Sequence, residues 1–227
     1  ATLAALLLVA LAATSAWAGP KADPVIKGKS VTKQTLASLL AAFRASPGFS
    51  ADFREEKRMA LLAAPLVSRG AIFFRRAAKG SRALRRRGAL ARHVLSPSRS
   101  ITVLDASAVR IFDGKRWSSL DLSKRPTVRA FVDAFSTILA GDEAALSALY
   151  RITFTAADKG AWSATLVPKA PLLSKVVARL VLSGRGLVLS SLSVHEAGGD
   201  STTMTFTSVR PRRRFSAAEA QRLFPRP

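Results

Sequence analysis

Apolar and polar positions along the chain repeat with two different periods, and each change of period marks an element. Leu36, Leu39, Leu40 and Phe43 stand at i, i+3, i+4 and i+7, which predicts an amphipathic helix stopped by Ser46-Pro47-Gly48. From Phe49 the period is two. Phe49, Ala51 and Phe53 alternate with Ser50, Asp52 and Arg54, and beyond the loop around Pro65 the segment 70–76 puts Ile72 and Phe74 on one face. Further strands are expected at 89–95, 100–104 and 109–112, with Asp113-Gly114 as a two-residue hairpin turn into 115–122. The helical period returns over 126–141, where Val128, Phe131, Val132, Phe135, Ile138 and Leu139 form one stripe between Pro126 and Gly141. Asp142 is placed to cap a second short segment carrying Leu146, Leu149 and Tyr150. Strands resume at 151–156, 161–167, 176–183, 187–196 and 201–209, and Ser216 with Glu219 makes a capping box for a last helix reaching Leu223 and Phe224.

This order predicts a mainly β (α+β) fold, one antiparallel sheet of roughly ten strands with a helix before it, a helical insertion within it and a short helix after it. A twisted sheet of that size curls, and its concave face needs cover. The stripes Leu36/Leu40/Phe43 and Phe131/Phe135/Leu139 are the obvious cover. Periodicity leaves two readings open, a filled core and a cavity that holds a ligand.

Composition narrows the setting. The 227 residues carry 36 Lys+Arg against 14 Asp+Glu, a formal charge of +22, yet 48% are hydrophobic, so the chain folds and its basic excess seeks something anionic. There is no cysteine, which excludes disulfides, thiolate metal sites and cysteine nucleophiles. Residues 1–18 hold no charge and end in Ala16-Trp17-Ala18, the pattern of a partial secretory signal peptide; with 15 apolar residues among the 18 before Gly19-Pro20 the run is short for a membrane span, which needs roughly 20. Residues 19–31 read as a flexible leader and 32–227 as a single domain. The expected compartment is the periplasm, which removes nucleic acid from the partners.

Candidate chemistry is sparse. His93 and His195 are the only imidazoles, with no Gly-x-Ser-x-Gly elbow, no phosphate loop and no ligand at metal spacing, so no enzyme, metal site or cofactor is expected. The charge itself is clustered. Residues 57–104 hold Lys57, Arg58, Arg69, Arg75, Arg76, Lys79, Arg82, Arg85, Arg86, Arg87, Arg92 and Arg99 with no acid among them, and a second knot stands at Arg210, Arg212, Arg213 and Arg214. Such runs are either a solvated face or a docking surface for anionic headgroups or an acidic partner; the docking surface is assigned to Arg75, Arg82, Arg85, Arg86, Arg87, Arg92, Arg212, Arg213 and Arg214.

The ordered set Phe49-Ser-Ala-Asp-Phe53 after the first helix, Gly70-Ala-Ile-Phe-Phe-Arg-Arg76, Ile111-Phe-Asp-Gly114 leading to Trp117, Trp162-Ser-Ala-Thr-Leu-Val-Pro168-Lys169 and 188–206 resembles the LolA-like superfamily of periplasmic outer-membrane lipoprotein carriers, in a divergent branch. The insertion of Arg85-Arg86-Arg87 after Arg76 departs from the superfamily's usual pattern. The resemblance implies an unclosed antiparallel barrel with helices as a lid over an apolar cavity for acyl chains. It also implies that Arg76, six residues after Gly70, latches lid to barrel.

On that reading the cavity and lid are built from Leu36, Leu39, Leu40, Phe43, Phe131, Phe135 and Leu139 packing on Phe53, Ile72, Phe74, Ile101, Trp117, Leu166, Leu180, Met204 and Phe206. The expected function is a monomeric periplasmic carrier that shields the acyl chains of a lipoprotein or related lipid between inner and outer membrane. Its partners would be the acylated cargo, an inner-membrane exporter, an outer-membrane receptor and a transient membrane surface. The alternative is a basic periplasmic adaptor that binds anionic lipid or envelope protein through its arginines without an internal cavity.

Overall fold

The computed structural model describes residues 35–77, 88–105, 108–124, 137 and 141–225. Eleven strands form a single antiparallel sheet: β1 Gly48–Arg58, β2 Leu66–Arg75, β3 Ala89–Ser96, β4 Ser100–Leu104, β5 Ala108–Phe112, β6 Trp117–Asp121, β7 Tyr150–Ala156, β8 Ala161–Pro168, β9 Val177–Arg185, β10 Val188–Glu196 and β11 Ser201–Arg210. Their order is β6-β5-β4-β3-β2-β1-β11-β10-β9-β8-β7. Two meanders therefore run in opposite directions from the β1–β11 seam, and the outer strands β6 and β7 do not pair with each other, so the barrel is unclosed. Helices are α1 Leu36–Ala45, α2 Glu143–Leu149, α3 Pro171–Ser174 and α4 Ala217–Leu223.

Local chemistry sets the ends. Thr35 and Ser38 cap α1 reciprocally, Asp142 Oδ1 accepts the Ala145 N–H at 3.1 Å to start α2, and Ser216 with Glu219 forms the capping box of α4. One hairpin differs from expectation. The β5–β6 connection is four residues long, because Asp113 N–H reaches Arg116 O and the Asp113 carboxylate accepts the Lys115 and Arg116 N–H groups, leaving Phe112 opposite Trp117 as the closing pair. Strand β1 also runs further than its apolar alternation, through Glu55, Glu56 and Lys57, and β2 begins at Leu66 rather than Gly70. Of the helix expected over 126–141, only Thr137, helical and buried, and Gly141 belong to the described residues; Phe131, Phe135 and Leu139 lie outside them.

Register decides which residues meet. Phe49 pairs with Phe74, Ala51 with Ile72 and Phe53 with both Gly70 and Phe206, so these residues share one face. That face carries two apolar clusters. One gathers Phe53, Ile72, Phe74, Leu90, Leu104, Met204 and Phe206; the other seats Leu39 and Leu40 of α1 on Tyr150, Trp162, Leu166 and Leu180. The opposite face has a smaller cluster, Ala89, Ala91, Val103 and Phe224, in which α4 covers β3 and β4. Ile101 belongs there and not on the cavity side. It pairs with His93 and follows the phase of Val103, whereas Thr102 and Leu104 point inward.

Candidate functional site: an apolar cavity under the first helix

Helix α1 lies against the concave face, and a cavity remains between it and β1, β2 and β8 to β11. Among the described residues eighteen line it, and none of these is charged. The helix contributes Leu36, Leu39, Leu40 and Phe43; the sheet contributes Phe49, Ala51, Phe74, Trp162, Ala164, Leu166, Leu182, Leu189, Phe206 and Val209, with Leu146 from α2 and Leu187 from the β9–β10 turn. The free volume inside it is about 80 Å³, and the cavity opens to solvent at its mouth. Its two polar side chains are already satisfied. Ser46 Oγ donates to Pro211 O at 2.6 Å, and Trp162 Nε1–H donates to Gly186 O at 2.9 Å. An occupant thus meets no unpaired donor or acceptor on these side chains, which selects for hydrocarbon.

Two close approaches shape the walls. A Cβ at Gly184 would sit 2.6 Å from the Trp162 ring, so glycine lets that indole lie across β9. Gly141 has φ +66, and a Cβ there would meet Leu40 O at 2.4 Å, so its backbone nests against α1.

Arginines hold the C-terminal end of α1. Arg76 Nε–H and Nη2–H donate to Ser46 O and Phe43 O, each at 2.9 Å, and Arg44 Nη2–H donates to Gly141 O at 2.6 Å. Arg76 thus sets its cation on carbonyls at the negative end of the α1 dipole, while Arg44 ties the helix to the Gly141 backbone. Burial, then the neighbouring charge of Arg44, lowers the Arg76 pKa from its ordinary value. Arg76 is also stacked over the Phe74 ring at 5.8 Å, so one side chain touches both α1 and a cavity wall.

The structure distributes the other expected site residues differently. Leu36, Leu39, Leu40, Phe43, Phe74, Leu166 and Phe206 line the cavity together. Phe53, Ile72, Met204 and Leu180 are buried in the sheet clusters beside it without lining it. Trp117 lies on edge strand β6 against the Phe112 ring, 5.4 Å between centroids, away from the cavity. Phe49, Ala51, Trp162, Ala164, Leu182, Leu189 and Val209 are wall residues that the expectation left out; extending the two-residue alternation from Phe53, Leu166 and Leu180 finds several of them.

The basic surface is also redistributed. Arg82, Arg85, Arg86 and Arg87 lie outside the described residues. Arg212 and Arg214 are exposed, Arg213 pairs with Glu219 at 2.6 Å, and Arg75 stacks on Phe224 at 5.1 Å. Arg92 is not on the surface at all. It faces inward from β3, donates to Glu55 Oε1 at 2.7 Å and lies over the Phe53 ring at 4.9 Å. Ser68 Oγ–H donates to the same carboxylate at 3.0 Å, and nearby Lys57 pairs with Glu196 at 3.4 Å. Burial raises the Glu55 pKa against the pull of Arg92, and lowers that of Arg92. Among the described residues no cluster of three His, Asp or Glu side chains stands ready for a metal, and no helix is long and apolar enough to cross a membrane.

Comparison with known proteins follows the same lines. Residues 30–221 match the family model described as outer membrane lipoprotein carrier protein LolA-like. No curated protein matches in sequence. Among solved structures, the chain is similar to the Pseudomonas aeruginosa MucA/MucB complex at 13% identity and TM-score 0.49, covering 82% of this chain and 60% of that one. A LolA superfamily protein from Nitrosomonas europaea gives 9% identity and TM-score 0.42 over 86% and 99% of the two chains. The Mycobacterium tuberculosis lipoprotein LppX gives 12% identity and TM-score 0.42 over 80% and 97%.

Proposed function

The chain belongs to the family of LolA-like outer membrane lipoprotein carrier proteins, and from that premise we propose that it works in the periplasm as a carrier, holding the acyl chains of a lipoprotein or related lipid under α1 during passage between membranes. The observation that supports this reading is the cavity: eighteen lining side chains among the described residues, none charged, closed on one side by a helix. Each methylene moved there from water gains about 0.8 kcal/mol. A long acyl chain would then be held too tightly to release, unless something competes for the site. Helix α1 supplies the competitor. When the cavity is empty, Leu39, Leu40 and Phe43 settle on the sheet, and cargo has to lift them against the Arg76 contacts.

Carriage needs no nucleophile, and the reading assigns none. Native mass spectrometry of protein released gently from its own periplasm tests it. A bound acylated species is the expected result, and its mass separates lipoprotein from free lipid; consistently empty protein overturns the reading. In the Arg76→Leu variant the rate of cargo release should rise about tenfold or more, since two hydrogen bonds from a charged group are lost. Unchanged loading and transfer in that variant would remove the latch role.

The adaptor alternative is favoured by one observation, the exposed Arg210 at the end of β11 and Arg212 and Arg214 just after it, which have no acidic partner among the described residues. Binding through those groups should collapse at moderate salt, whereas acyl capture persists.

A further inference from the structure

At the end of the sheet opposite Val209, Pro211 and Leu187 of the cavity wall, the strands stop in turns that carry apolar side chains into solvent. The β1–β2 hairpin tip reads Met59-Ala-Leu-Leu-Ala-Ala-Pro65, and Leu61 is 93% exposed. Leu95 near the end of β3 is 62% exposed, Leu172 on α3 50%, and Val67 stands near the start of β2. Together these are four of the five exposed large apolar side chains among the described residues. Hydrogen bonds join the turns into one rim: Ala60 N–H donates to Asp200 Oδ1 at 3.0 Å, and Ala197 N–H to Val176 O at 3.0 Å. Exposed Arg58, Arg69, Arg99, Arg116, Lys169 and Lys175 stand along it, against Glu56, Asp113 and Asp200. Glu56 is already paired with Arg54 and Arg58.

We propose that this rim docks the protein on an anionic lipid bilayer, the hairpin tip entering the headgroup layer and the cations resting on lipid phosphates. Apolar tips separated by cations suit a fluid surface that wraps each of them, and they offer a folded protein no continuous apolar area. The charge balance fits the partner, since each basic residue near an anionic leaflet adds attraction that salt weakens. Strands of ten or eleven residues span about 33 Å, so a protein docked this way holds its cavity walls at Val209 and Pro211 well away from that membrane. The surface is independent of what the cavity holds.

The test uses the processed protein isolated from cells expressing the full chain, with vesicles of phosphatidylcholine and phosphatidylglycerol and with phosphatidylcholine alone. Wild type should partition to the mixed vesicles and lose most of that binding at high salt. Leu61→Asp should weaken it by about tenfold or more, while Val188→Asp, an exposed apolar residue at the other end of the sheet, should leave it unchanged. Equal partition by wild type and Leu61→Asp overturns the proposal, as does an equal loss in Val188→Asp or equal binding to both vesicle types. A dimer that Leu61→Asp dissociates, without vesicle binding, would assign the tip to a second copy and also overturn it. Displacement of a fluorescent fatty acid, read on the same samples, reports the cavity separately: failure there with intact docking sinks the carrier reading alone.

Discussion

Along β1 one inward face changes character halfway. Phe49 and Ala51 face the cavity and Phe53 packs beside it, whereas Glu55 and Lys57, continuing the same alternation, meet Arg92 and Glu196 in ion pairs that are almost wholly buried. The apolar end is adaptable, because its contacts are non-directional and leave room between helix and sheet. The charged end is fixed, because each partner must keep its place or strand an uncompensated charge. A single strand thus joins a compliant pocket to a rigid floor, and the difference lies in whether its inward residues have one satisfied geometry or many.

Removing a fixed partner should show the larger effect. Arg92→Met leaves Glu55 buried with no cation at 2.7 Å and should destabilise the fold by about 3–5 kcal/mol in chemical denaturation. A loss below about 1 kcal/mol would mean that the charged end is hydrated and the contrast false. At the compliant end, Ala51→Trp should fill the cavity for about 1–3 kcal/mol or less, with fatty-acid binding reduced at least tenfold. If binding survives that substitution, the cavity is not where the ligand sits.

The smallest effect concerns the outer face, where His93 Nε2–H donates to Leu223 O at 2.9 Å and links β3 to α4. Burial lowers the His93 pKa below its ordinary 6.5. The folded state then binds fewer protons than the unfolded state in the window below 6.5. Stability therefore rises with pH through that window and falls as acid charges the ring. His93→Asn should flatten that slope while changing stability at neutral pH by about 1 kcal/mol or less, as a pH series of thermal melts would show.

Period carried most of the architecture. The Leu36 to Phe43 stripe, the capping box at Ser216 and the strand phases of Ile72, Phe74, Leu166 and Phe206 were all readable, because apolar burial repeats with the backbone. What period could not supply was partner identity. Arg92 sits in a basic run assigned to the surface, yet its acid, Glu55, lies 37 residues earlier and meets it only across β2. The side taken by Ile101 depends on the β3–β4 register, where one residue of slip exchanges the faces. Whether stripes make a core or a cavity depends on volume left over after packing, and volume has no period.

The unclosed seam has a mechanical consequence. Since β6 and β7 share no ladder, there is no backbone hydrogen bond between those two edges for a change in the curl of the sheet to break. On the proposed carrier reading the cavity is then bounded by a spring and not by a wall: a longer or branched tail should be accommodated by the gape of the sheet, and its removal should let the sheet recoil.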